Sequence, residues 1–91
     1  ALTDALADKN APVRAMLLDA LAVIAPNNPQ VLATLTQFSA SDPDAGVRQA
    51  AIVGLETIGV GARSALEAAT RDRDPVVANA ARDALARLPV R

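Results

Sequence analysis

The sequence predicts an all-α fold: a right-handed α-α superhelix, or solenoid, built from stacked helix pairs. A short motif recurs three times along the 91 residues, and each copy is followed by the same helical spacing of apolar residues. There are 22 alanines and one aromatic residue, Phe38, a composition that favours closely packed helices over strands. A chain of this length has room for one hydrophobic core and therefore for one domain.

The repeated motif runs from an aspartate to a valine five residues later. Val13, Val47 and Val77 mark the three copies and lie 34 and 30 residues apart. After each valine, apolar or small residues occupy the third, fourth, seventh, eighth and eleventh positions, which together form one face of an α-helix. We expect this face to be the core stripe, made of Met16, Leu17, Ala20, Leu21 and Ile24, then Ala50, Ala51, Gly54, Leu55 and Ile58, then Ala80, Ala81, Ala84, Leu85 and Leu88.

The residues before each valine predict where these helices begin. Asn10, Asp44 and Asp74 each stand three residues before a marker valine, where a short polar side chain can cap the first turn. Pro12 and Pro75 fall in that first turn, where the missing N–H costs little.

Each of these second helices is expected to pair with a shorter first helix that precedes it. The pattern predicts first helices over about 29–39 and 61–70, and Leu2, Ala5 and Leu6 match the end of another one. Because the chain begins inside a predicted helix, we expect it to be part of a longer protein. The predicted units are a truncated first unit at 1–25, a second at 26–58 and a third at 59–91.

The motif resembles that of the HEAT repeat family, in particular its short bacterial lyase-type units. The signature is an aspartate six residues before an arginine that follows the valine, and only the third copy departs from it, with Ala78 in place of the arginine. The resemblance implies that first helices line the convex side of a superhelix and second helices the concave side, which commonly binds proteins. It also implies a structural ladder through Asp8, Arg14, Asp42, Arg48 and Asp72.

Catalytic and metal chemistry find little support in the sequence. Without histidine or cysteine, the usual ligands of zinc, haem and iron–sulfur clusters are missing. Asp42 with Asp44, and Asp72 with Asp74, could serve acid–base catalysis or calcium binding. A calcium loop needs glycine at its sixth and glutamate at its twelfth position, and neither pair is followed by that pattern. Helix capping and the ladder account for both pairs, so we predict no catalytic residue, cofactor or metal.

The charge balance points to a protein as the partner. Nine basic and ten acidic residues give a net charge of −1, which provides no strong positive field for nucleic acid. The segment from Gly59 onward is more basic, but it offers no aromatic side chain on which a base could stack. No apolar run approaches the length of a membrane span. We therefore expect another protein or a larger complex as the partner, with no nucleic acid and no direct membrane insertion.

The outer face of the second helices is the predicted binding surface. Positions two, five, six and nine past the valine turn away from the core stripe, and some of their side chains are more apolar than a solvated surface requires. The alternative is that these apolar side chains pack between neighbouring units. The predicted partner-binding residues are Leu18, Gln49, Ile52, Val53, Glu56, Asn79 and Arg82.

The sequence thus predicts a non-catalytic protein–protein interaction or scaffold module that binds its partner on the concave face of the stacked second helices. Two alternatives remain open. The first is a subunit or domain of an enzyme of the chromophore-lyase type, which the lyase-type resemblance suggests. The second is a structural spacer in a larger regulatory or membrane-tethered protein.

Overall fold

The computed structural model describes residues 9–88, which contain five α-helices and no strand. This confirms the predicted all-α helical repeat, while the handedness of the superhelix stays a prediction. The predicted opening helix, with Leu2, Ala5 and Leu6, lies outside the described residues, as does Asp8. The helices are α1 (Ala11–Ile24), α2 (Pro29–Ser41), α3 (Ala45–Ile58), α4 (Arg63–Ala69) and α5 (Pro75–Arg87), with a 3-10 turn at Val60–Ala62 between α3 and α4.

The helices form two layers. The second helices α1, α3 and α5 lie side by side, because α3 packs against α1 on one flank and against α5 on the other. The first helices α2 and α4 form the other layer, with α2 packed on α3 and α4 packed on α5. The middle helix α3 is therefore covered on three sides and keeps only one side for solvent.

The second helices begin at the local signals that the sequence predicts, and α3 ends at a glycine. The Oδ1 atoms of Asn10, Asp44 and Asp74 accept hydrogen bonds from backbone N–H groups in the first turns of α1, α3 and α5. These bonds satisfy donors that the start of a helix leaves without an intrahelical partner. At the end of α3, Gly59 has a φ of +95°, a backbone conformation that glycine adopts without the steric cost a side chain would add.

The core stripe is largely as predicted on the two later second helices. Ala51, Gly54 and Leu55 are buried on α3, and α5 buries Ala81, Ala84 and the adjoining Leu88. Gly54 shows how closely the layers approach. A Cβ atom at Gly54 would stand 3.0 Å from a methyl carbon of Leu35 on α2 and 3.3 Å from the Cβ of Ala22 on α1. A larger residue here would force the helices apart.

On α1 the predicted core stripe is wrong at its edge. Met16 is 62% exposed and Ile24 is 72% exposed. They lie on the side of α1 that corresponds to the Gly54 side of α3, and Gly54 faces Ala22 of the second helix that comes before. Among residues 9–88 no second helix precedes α1, so this flank of α1 has no helix packed on it. The helical spacing identified the apolar face but not which of its edges a neighbour would cover.

Candidate functional site

Leu18 and Ile52, two of the predicted partner-binding residues, are core residues. Leu18 is fully buried and Ile52 is 1% exposed, so neither can anchor a partner. Ile52 lies on the opposite side of α3 from Gly54, the side on which α5 packs, and Leu18 has the equivalent place on α1 beside α3. The prediction of an exposed strip through these two residues is wrong because the next second helix in the layer covers that flank.

The other predicted binding residues do reach the surface, but they do not form one row. Gln49 and Val53 are exposed on α3, and Val53 keeps 52% of its surface accessible. Glu56, further along α3, is partly buried and holds Arg87 of α5 through two hydrogen bonds of 2.6 and 2.8 Å.

The last two predicted residues, Asn79 and Arg82, are exposed on α5. Arg82 donates to the Asn79 side chain at 2.7 Å and to the carbonyl oxygen of Thr70 at 3.4 Å. Its place on α5 is equivalent to that of Ile52 on α3. Within the described residues no second helix follows α5, and this flank carries a charged side chain where α1 and α3 carry leucine and isoleucine.

The surface that α1, α3 and α5 do share is a stripe of four positions on each helix. Counted from the marker valine, these are the residue before it and the second, sixth and tenth residues after it, which recur on one side of a helix with about 3.6 residues per turn. All but the partly buried Ala15 are exposed. We call this surface the second-helix face: Pro12, Ala15, Asp19 and Val23, then Gly46, Gln49, Val53 and Thr57, then Val76, Asn79, Asp83 and Arg87.

Sequence reasoning missed the first and last positions of this stripe. The predicted set, at positions two, five, six and nine, lies too far around the helix. Its position five falls on the flank that the following second helix covers. The signal that could have corrected this is in the middle repeat. Three of the four positions there carry a small or polar residue, and Val53 is the one large apolar side chain among them: Gly46, Gln49, Val53 and Thr57. A helix covered on three sides by neighbours exposes only such a narrow stripe.

Two buried ion pairs connect successive helix pairs behind this face. Arg14 of α1 donates from Nε and Nη2 to the two carboxylate oxygens of Asp42, at 2.9 and 3.0 Å. Arg48 of α3 does the same to Asp72, at 2.9 and 3.2 Å, and its Nη1 donates to the backbone oxygen of Asp42 at 2.8 Å. Each arginine therefore holds the aspartate of the next unit in a bidentate pair.

The same aspartates also order the loops that precede the second helices. Oδ1 of Asp42 accepts from the backbone N–H of Asp44 at 2.9 Å, and Oδ1 of Asp72 accepts from that of Asp74 at 2.8 Å. Asp44 and Asp74 then cap α3 and α5. All four carboxylates thus have a structural task. Among residues 9–88 there is also no group of three side chains that could hold a metal ion.

Burial and pairing act in opposite directions on the two ladder carboxylates. Burial alone would raise the pKa of Asp42 and of Asp72. Hydrogen bonds from Arg14 to Asp42 and from Arg48 to Asp72, together with the backbone N–H groups and the arginine charges, outweigh it. The pKa of each carboxyl therefore lies below its ordinary value of 3.8. Both are ionised in the folded protein at neutral pH.

We expect the ladder to make the free energy of unfolding depend on pH in the acidic range. Because the pKa of Asp72 is lower in the folded chain than in the unfolded one, its contribution is complete above the ordinary pKa and declines as the pH falls below about 4. Asp72→Asn should therefore lower the melting temperature at neutral pH and flatten its fall in acid, measured by circular dichroism. Asp83→Asn removes an exposed carboxylate of α5 as the control and should leave the melting temperature at neutral pH close to that of the wild type. An unchanged acid dependence in Asp72→Asn would contradict the role of this pair.

In the comparison with protein families, residues 1–86 match the model of HEAT repeats. Comparison with curated proteins and with solved structures gives no match. In the part of the chain that the structure describes, no helix is both long and apolar enough to cross a membrane.

Proposed function

Because the chain belongs to the HEAT repeat family, whose members generally mediate protein–protein interactions or scaffolding, we propose that it is an interaction module that binds another protein across the second-helix face. The family is typically a non-catalytic helical scaffold, and we propose no catalysis for this chain. The family resemblance assigns the second helices to the concave side of the superhelix, where a partner would be surrounded on several sides.

The observation that carries this proposal is the position of Val53. It is a large apolar side chain, 52% exposed, on the middle helix of the layer and at the centre of the second-helix face. Gln49 and Thr57 flank it along α3, while Asp19 and Asp83 hold the equivalent places on the neighbouring helices. An apolar centre with a polar surround is the usual anatomy of a protein interface, and the centre is where binding energy concentrates.

The charges around Val53 indicate the chemistry of the partner. Asp19 and Asp83 are exposed carboxylates on either side of it. Arg87 is already paired with Glu56 in an ion pair with an Nε–Oε2 distance of 2.6 Å. The face is therefore apolar at its centre and acidic on both sides. It fits a helix or loop with an aliphatic side chain for Val53 and basic side chains beside it.

We expect Val53→Glu to abolish partner binding while leaving the melting temperature unchanged. The substituted side chain remains in water in the free protein, but in the complex its charge would be buried without a partner. The measurement is quantitative affinity capture from a cell lysate, with circular dichroism melting on the same samples. Val60→Glu is the matched control, because Val60 is also an exposed valine, at 39%, but lies on the 3-10 turn outside the second-helix face.

The proteins that count are those retained by the wild type and by Val60→Glu and lost with Val53→Glu. If Val53→Glu retains the same proteins as the wild type, the second-helix face is not the binding surface. If the wild type retains no protein above background, the interaction proposal fails and the spacer alternative takes its place.

A further inference from the structure

A groove of about 320 Å³ lies in the other layer of the molecule, between the first helices α2 and α4. It shares no residue with the second-helix face. Its sides come from the second halves of the two helices and its end from the loop that follows α4. The lining residues are Thr36, Ser39 and Ala40 of α2, Ala65, Ala68 and Ala69 of α4, and Arg71, Asp72 and Arg73 of the loop.

The side chains along the groove leave it open and mostly uncharged. Alanine methyl groups from both helices cannot fill the space between them, as longer aliphatic side chains would. Both hydroxyl groups donate their protons to backbone carbonyl oxygens of α2. Thr36 donates to Leu32 at 2.7 Å and Ser39 donates to Thr36 at 2.8 Å. Toward a ligand, these oxygens therefore act as acceptors, which suits peptide N–H groups.

The end of the groove is positively charged. Arg71 and Arg73 are exposed, and within residues 9–88 neither guanidinium group forms an ion pair or a hydrogen bond. Asp72 stands between them in the sequence and attracts Arg73 electrostatically, but its carboxylate forms its ion pair with Arg48, at 2.9 Å. Two unpaired cations thus face a groove whose only acidic lining residue is already paired.

We propose that this groove binds an acidic peptide segment of a partner protein. Carboxylates of the segment would pair with Arg71 and Arg73, which can each present two parallel N–H donors to one carboxylate. Residues with small side chains would lie over the alanines. The observations favour a peptide over a nucleic acid because no aromatic side chain lines the groove and the whole chain carries a net charge of −1.

The test is an NMR titration of the isotope-labelled 91-residue chain with a short, end-blocked peptide of alternating alanine and glutamate. We expect amide shifts confined to the groove, at residues 36–40 and 65–73. Arg71→Ala and Arg73→Ala should each weaken binding about tenfold, the effect of losing one charge-assisted contact at an exposed site. Ala68→Leu should also remove the shifts by filling the groove without changing its charge. Arg82→Ala, at an exposed arginine on α5, should bind as the wild type does.

Four results would overturn this proposal. They are the absence of groove shifts with the acidic peptide, equal shifts with a peptide in which lysine replaces glutamate, undiminished binding in the two arginine variants, and tighter binding of oligothymidylate than of the acidic peptide at the same residues. Because the groove and the second-helix face have no residue in common, Val53→Glu should leave the titration unchanged. The two proposals can therefore fail independently.

Discussion

Ile52→Glu is expected to unfold the protein at room temperature. Ile52 is 1% exposed, and a glutamate there would place a carboxylate among aliphatic side chains. The cation one turn earlier on α3, Arg48, is already held by Asp72 and by the carbonyl oxygen of Asp42. A buried unpaired charge costs several kcal/mol, and domains of this size are stable by only about 5–15 kcal/mol in total. The measurement is the circular dichroism signal and its thermal melt.

The neighbouring position supplies the matched control. Val53 follows Ile52 directly, and about 100° of helix rotation moves its side chain from the core to the solvent. Val53→Glu should melt as the wild type does, and Ile52→Val should cost only about 0.5–1.5 kcal/mol. A folded Ile52→Glu protein with the wild-type melting temperature would mean that α5 does not pack on this flank of α3.

Arg48→Ala is expected to lower the free energy of unfolding by about 3–5 kcal/mol, the usual cost of removing one partner from a buried ion pair. The side chains of Arg48 and Asp72 are only 2% and 7% exposed. Without the guanidinium, the Asp72 carboxylate stays in this poorly solvated place, and the carbonyl oxygen of Asp42 loses a donor. Urea unfolding measured by circular dichroism gives the free energy directly.

Three further variants distinguish the contribution of the Arg48–Asp72 ion pair from that of a positive charge alone. Arg71→Ala removes an exposed arginine and should change stability by less than about 0.5 kcal/mol. Arg48→Lys keeps the charge but cannot form the bidentate pair, so most of the loss in unfolding free energy should remain. Adding Asp72→Asn to Arg48→Ala should recover part of the stability, since the carboxylate that lost its partner is then neutral. An Arg71→Ala loss as large as that of Arg48→Ala would contradict the ladder.

Much of this fold follows from local signals in the sequence. The caps at Asn10, Asp44 and Asp74 and the glycine at the end of α3 act within a few residues, so their pattern alone predicts where helices begin and end. The repeat further predicts that similar units stack. Each of the three copies has the same amphipathic pattern and therefore must bury the same face. The family resemblance pointed to the ladder residues, and the structure adds which arginine meets which aspartate, across 28 and 24 residues.

The binding surface could not be predicted in the same way. By itself, the sequence determined the helices, their caps and the apolar side of each second helix, because these depend on side-chain chemistry and on about 3.6 residues per turn. Only the tertiary structure decided that Leu18 and Ile52 are core while Met16 and Val53 are surface. Leu18, Ile52 and Met16 are apolar residues at the edges of an amphipathic stripe, and Val53 is an apolar residue on the exposed side of α3. Whether such an edge is buried depends on which flank a neighbouring helix covers, and that is a property of the packed layer and not of any one helix.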